Sequence, residues 1–164
     1  MKTFYLIRHA KSSWSDSSLR DIERPLNSRG LRDAPFMAKL LKGKGATPDQ
    51  IISSPANRAH TTSKYFAEAF DIAEQAIRLE SDIYEAYPEQ VIEIIRGLDA
   101  ALKQVLVFGH NPSFTSLANM FSEEYIANVS TCGIVKIVST SNTWSGIDRA
   151  NTKVAAYSYP KEYM

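Results

Sequence analysis

The sequence predicts an α/β fold of three layers, with helices on both faces of a mostly parallel central sheet. Three observations predict it. Short apolar runs alternate along the chain with segments of helical periodicity, the pattern of parallel strands joined by crossover helices. The polar residues that close three of these runs, Arg8-His9, Ser53-Ser54 and His110, fall at the carboxyl ends of the expected strands, where open α/β sheets bind their ligands. The 164 residues contain no repeat, low-complexity segment or long linker, so one domain spanning residues 1–164 is expected.

The elements follow in order. TFYLIRH reads as a buried strand, and SRGLRDAPFMAKLLKGKG as a helix with Leu31, Phe36, Leu40 and Leu41 among its apolar positions, closed by Gly43 or Gly45. PDQIISS is a short strand. The next helix is expected to open with Ser54 as its N-cap and Pro55 at its first position. AIRLESDIY is a weak strand or an extended loop. PEQVIEIIRGLD places Val91, Ile94, Ile95 and Leu98 on one helical stripe. KQVLVFGH is the most apolar strand, and NPSFTSLANMF a helix with Asn111 as N-cap and Pro112 following. GIVKIVST and KVAAYSY read as an antiparallel pair joined by SNTWSGIDRANT, with Trp144 in the hairpin connection.

Composition narrows the function. Hydrophobic residues make up 44% and charged residues 23%, as in ordinary globular domains. A net charge of +1 gives no argument for nucleic acid or membrane as partner, neither is expected, and any anion must be met by local positive charge. The lone Cys132 excludes an internal disulfide and a cysteine metal cluster, and reads as a packed or turn residue. No metal-ligand motif is present, and neither metal nor cofactor is expected. MKTFYLIRH is too short for a signal peptide and no run approaches the ~18 apolar residues of a membrane span, so a cytoplasmic protein is expected.

The strand ends carry the chemistry. Arg8, His9 and His110 close two strands, and Arg58 stands about four positions after Ser54, in the first turn of the helix that follows a third. A cation there is opposed by the positive end of the helix macrodipole, by up to about 1 kcal/mol, unless an anion lies between them. Two Arg, two His and free backbone N–H groups suit a tetrahedral dianion, since guanidinium offers paired donors matched to phosphate oxygens. One neutral imidazole can attack phosphorus while the other stabilises the transferring oxygens. Positioning and charge neutralisation make up most of what phosphoryl transfer requires.

With these residues in place, LIRHAKSSW resembles the R-H-G signature of the histidine phosphatase, or phosphoglycerate-mutase-like, superfamily, with Ala10 in place of the usual Gly. RPLNSRGLRDA, ISSPANRAHTTS and VLVFGHNP are similar to its following segments, so that the resemblance covers essentially the whole chain. Small size and the RHAKS variant are similar to the SixA-type phosphohistidine phosphatases. The resemblance implies a phosphoglycerate-mutase-like fold and a metal-independent phosphatase with His9 as transiently phosphorylated nucleophile and Arg8, Arg58 and His110 as its phosphate pocket. It also implies that Arg24 can face phosphate, and that Glu85, with Asp82 behind it, stands where mutase relatives carry a proton donor. Ser15 stands where those relatives have a phosphate-holding Asn.

Phosphohistidine on a protein is the favoured substrate, because no insertion is large enough for a lid and an open site admits a protein surface. The expected partner is thus phosphate or a phosphorylated substrate such as a phosphohistidine-carrying signalling protein. A small-molecule phosphomonoesterase and a phosphate-recognition module without turnover are the alternatives. His60 lies roughly 200° around the helix from Arg58 and is expected to point away. Lys11 reads as an anion-steering or simply solvated residue, and Trp14 and Tyr84 as candidate pocket walls.

Overall fold

The computed structural model describes all 164 residues. Six strands form one sheet: β1 (Lys2–Arg8), β2 (Gln50–Ser53), β3 (Arg78–Leu79), β4 (Gln104–Gly109), β5 (Ile134–Ser139) and β6 (Thr152–Ser158). Their spatial order is β3-β2-β4-β1-β5-β6. The first four run parallel, β5 is antiparallel to β1, and β6 is antiparallel to β5. Four helices accompany them: α1 (Ser28–Gly43), α2 (Asn57–Ala69), α3 (Pro88–Arg96) and α4 (Ser113–Met120).

The central strands are buried on both faces, which is why they read as unbroken apolar runs. Side-chain alternation along β1 divides the core. Phe4 and Leu6 pack with Val91 and Ile95 of α3 and Phe114 and Leu117 of α4, while Tyr5 and Ile7 pack with Met37 and Ala38 of α1 and Phe66 of α2. The three expected layers follow directly. None of the helices is long and apolar enough to cross a membrane.

Several expected details differ. Leu31 is exposed, because α1 turns Gly30, Ala34, Met37, Ala38 and Leu41 inward and packs its small residues close to the sheet. α1 ends at Gly43, and Gly45 takes the left-handed conformation just beyond it. Helix α2 starts at Asn57, two residues later than Ser54-Pro55 predicts, with Ala56 at its cap position and no side-chain cap. Ser54 is buried, and its hydroxyl accepts from Ala56 N at 3.2 Å while lying 2.8 Å from His110. Pro112 rather than Asn111 occupies the cap position of α4, after a cis peptide, although the Asn111 side chain still accepts from Thr115 N at 3.2 Å. Trp144 belongs to the core. Its loop folds back against the sheet, and its indole N–H donates to Leu102 O at 3.0 Å. The weak strand shrinks to β3, two residues at the sheet edge.

Candidate functional site

The centre of the sheet's carboxyl edge is formed by the ends of β1 and β4. Arg8 pairs with Gly109 in register, and His9 N donates to Gly109 O at 3.1 Å. On the other side of β1, Cys132 N donates to Arg8 O at 3.0 Å and His9 O at 3.1 Å, from a turn in which Cys132 has φ of 58°. The next residue is held by α2, where the Thr62 hydroxyl accepts from Ala10 N at 3.0 Å and donates to Arg58 O at 2.7 Å. The Arg8–Ala10 backbone is therefore fixed from three directions. Gly109 matters for close approach, since a Cβ there would come within 2.5 Å of the Phe114 ring. The absence of a side chain lets α4 pack directly beneath His110.

The strand ends bring the two imidazoles together, with ring centroids 5.3 Å apart. Both are buried, at 7% and 8% exposure, and so is Arg58 at 7%. Burial, joined by the neighbouring His110, Arg58 and Arg8, pushes the His9 pKa down to about 3. Burial, then Arg58 and Arg8, pushes His110 down to about 4 against an opposing pull from Asp21. Both rings are neutral near pH 7. His9 Nδ1 lies 2.8 Å from Ala10 O. A carbonyl only accepts, so Nδ1 is assigned the proton and Nε2 keeps its lone pair. His110 Nε2 lies 2.8 Å from Ser54 Oγ. The Ser54 hydroxyl has no other acceptor, so it is assigned as donor to Nε2, which leaves the His110 proton on Nδ1.

Two buried donors have nothing to donate to. Arg8 gives Nη1 to Val129 O at 2.9 Å, but its Nε has no partner, and neither has His110 Nδ1. Unsatisfied buried polar groups are expensive and call for an explanation. Here both lie among the cationic groups that surround His9, where a tetrahedral anion would satisfy them.

The remaining sequence candidates divide. Arg24 is buried at 6% exposure and spends its donors on Ser12 Oγ, Ser13 O (3.1 Å) and Asp21 Oδ1 (3.0 Å). It reaches Arg58 only through Asp21. Glu85 is exposed, in the left-handed conformation with φ of 55°, and makes no hydrogen bond. It follows Tyr84, whose ring meets His110 edge-on at 5.7 Å. Asp82 and Lys11 are exposed. Trp14 is 74% exposed, with the Arg24 guanidinium 3.3 Å from its ring centroid. Cys132 is fully buried, and burial raises its thiol pKa. A broad surface groove, about 1030 Å³ between loop 122–130 and β6, is lined by none of these residues. An anion the size of phosphate needs donors more than volume.

Three participants are not marked by the sequence. Ser54 reads as a helix cap at a strand end and Thr62 as an ordinary residue inside the following helix, so neither is marked as a partner of His110 or of the Ala10 backbone. Asp21 shows only an i, i+3 spacing to Arg24 in a loop rich in Ser, Asp and Arg, yet its carboxylate joins Arg24, Arg58 and Tyr84.

The family model of the histidine phosphatase superfamily (branch 1) matches residues 4–89. The chain belongs to that superfamily. An uncharacterised chloroplastic protein of Arabidopsis thaliana is 31% identical over 147 residues, which is 85% of this chain and 67% of the relative. A protein assigned as the phosphohistidine phosphatase SixA of Agrobacterium tumefaciens shares the fold with a TM-score of 0.80 and 27% identity, over 97% of this chain and 98% of that one. The protein histidine phosphatase SixA complexed with tungstate superposes with a TM-score of 0.83 at 19% identity, over 99% of both chains. The fold is thus phosphoglycerate-mutase-like, and superfamily membership with these neighbours makes the protein a hydrolase of the phosphatase class.

Proposed function

We propose that this phosphatase removes phosphate from phosphohistidine on a partner protein, through a phosphorylated His9. The observation that carries the reading is the His9 ring. It is neutral and buried, its Nδ1 is committed to Ala10 O, and its unpartnered Nε2 stands among Arg8, Arg58 and His110. In the first step the substrate phosphoryl group takes up donors from Arg8 Nε, Arg58 and His110 Nδ1. His9 Nε2 attacks phosphorus, the N–P bond of the substrate breaks, and the leaving imidazole keeps that electron pair and takes a proton from water. In the second step water attacks phospho-His9 and gives up a proton, which neutralises the hydroxide left in solvent by the first step. The new O–P bond replaces the His9 N–P bond, phosphate departs, and the ring returns to its neutral form. The donors act where charge develops, which is the contribution that positioned groups make most effectively.

The preference for a protein substrate is supported by the absence of an inserted lid domain among the elements around the site and by the similarity to SixA proteins, and one of these, complexed with tungstate, a tetrahedral oxyanion, supports the anion pocket. A small-phosphomonoester reading is favoured by one observation, the Glu85 carboxylate beside Tyr84 at the edge of His110. Purified protein should be assayed side by side on a phosphohistidine protein and on a panel of phosphomonoesters. A kcat/KM higher for phosphohistidine is expected. A preference for any phosphomonoester would overturn the substrate, and binding of phosphate with no turnover on either class would make the protein a recognition module.

A further inference from the structure

Asp21 lies in a single 3-10 turn, Asp21–Glu23, in the loop between β1 and α1. Its side chain is 46% exposed, yet groups from three parts of the chain meet on it. Oδ1 accepts from Arg24 Nη1 at 3.0 Å. Oδ2 accepts from Arg58 Nη2 at 3.0 Å and from the Tyr84 hydroxyl at 2.6 Å, while the Asp21 backbone O accepts from Arg58 Nη1 at 2.8 Å. These contacts, the Tyr84 hydroxyl first, hold the Asp21 carboxyl down at about 2, so it is an anion throughout the working range.

The count of donors is informative. A guanidinium has five N–H groups. Arg58 gives two, both to Asp21, and keeps three for a ligand. Arg24 is anchored elsewhere, through Ser12, Ser13 and the Trp14 ring. The one side-chain partner the two guanidinium groups share is this carboxylate, and the Asp21 backbone O that takes Arg58 Nη1 also accepts from Arg24 N at 3.2 Å. We propose that Asp21 is a positioning residue that transmits the anchorage of Arg24 to Arg58, so that Arg24 and Tyr84 support phosphate binding through the carboxylate. The proposal rests on the reading of Arg8, His9, Arg58 and His110 as a phosphate pocket and adds the device that holds Arg58 in it.

Electrostatics and positioning predict opposite signs here. Asp21→Asn removes a negative charge from beside an anion site, so Coulomb attraction alone would tighten phosphate binding. If the carboxylate positions Arg58, its loss leaves the guanidinium held by the backbone O of residue 21 without the charged brace and weakens binding by roughly 10–100-fold, the scale of one lost charge-assisted contact. The probe is inorganic phosphate, titrated calorimetrically near neutral pH into the full-length protein, with the urea midpoint of each variant as a fold check. Arg24→Gln should cost about 10-fold in the wild type and under about 2-fold in the Asp21→Asn background. Tyr84→Phe removes one hydroxyl and no charge, so it tests the same carboxylate with little risk to folding. It should cost about 3-fold in the wild type and nothing in Asp21→Asn. Tighter or unchanged phosphate binding by Asp21→Asn, or full additivity of Arg24→Gln with it, would overturn the proposal. Turnover is not part of the readout, so a protein that binds phosphate without hydrolysing any substrate would fail the phosphatase mechanism alone.

Discussion

Acid should destabilise this protein through its two pocket histidines, and the cost can be worked from their surroundings. His9 is held at about 3 and His110 at about 4, chiefly by burial, against about 6.5 in the unfolded chain. Between these limits the unfolded chain binds protons that the folded one refuses, so stability must fall as pH drops below 6.5. At pH 5 each unfolded imidazole gains about 2 kcal/mol from protonation while the folded rings stay almost neutral, making about 4 kcal/mol for the pair. That figure depends only on both folded values lying about a unit or more below pH 5. For a domain of this size it corresponds to a Tm drop of roughly 8–16 °C between about pH 7.5 and pH 5. The control is the double variant His9→Asn/His110→Asn, which keeps His60 and every carboxylate. Thermal melts of the two proteins across this range, in buffer free of phosphate, give the comparison. The wild type should lose that much more Tm than the variant. Parallel curves would mean that the rings accept protons inside the fold, and the neutral nucleophile would have to be abandoned.

Other expectations follow from the same geometry. His9→Ala should fold normally, lose turnover and accumulate no acid-labile phosphate after brief exposure to substrate; labelled phosphate on the variant would move the nucleophile elsewhere. His110→Asn should lower kcat by about 10²–10³-fold, because one preorganised donor is lost, and a smaller change in single-turnover rate would remove His110 from the chemical step. Glu85→Gln should slow an alkyl phosphate, whose leaving group needs an acid, by up to about 10²–10⁴-fold and leave phosphohistidine nearly untouched, read as kcat/KM on both substrates. Equal losses would assign Glu85 to binding or structure, and no loss on either would leave it a surface carboxylate. Gly30→Ala would place a Cβ 2.2 Å from Lys11 O, against the segment that follows His9. A loss of about 1–3 kcal/mol in urea unfolding is expected, and unchanged stability would show that α1 can shift away from that segment.

Much of this was legible in the sequence because strand ends announce themselves. A run such as FYLIRH can end on Arg and His only at some cost, and the alternation of strands and helices assigns those ends to one edge. The layers were legible for the same reason, since β1 and β4 are buried on both faces and read as continuous apolar runs. What the sequence hid was where one group serves two masters. Ser54 has the profile of a helix cap, but its hydroxyl is held against His110, and the helix begins later. Trp144 sits in a polar stretch suited to a hairpin tip, and only the folding back of the loop buries it. Asp21 is one acidic residue in a polar loop, and its importance arises from Arg58 and Tyr84, which are distant in sequence and meet it only once the sheet has formed.

The way β1 is held also sets when the protein becomes competent. Phe4 pairs with Val105 on one side and with Ile137 on the other. A growing chain must therefore wait for about a hundred further residues, roughly 5–20 s at ordinary rates of synthesis, before the strand bearing His9 finds its first strand partner. The turn at Cys132, which fixes the carbonyls of Arg8 and His9, emerges later still. On the proposed mechanism, a nascent chain that has reached His110 carries Arg8, His9, Arg58 and His110 but lacks the turn that fixes them, so dephosphorylation would begin only after Cys132 has been made.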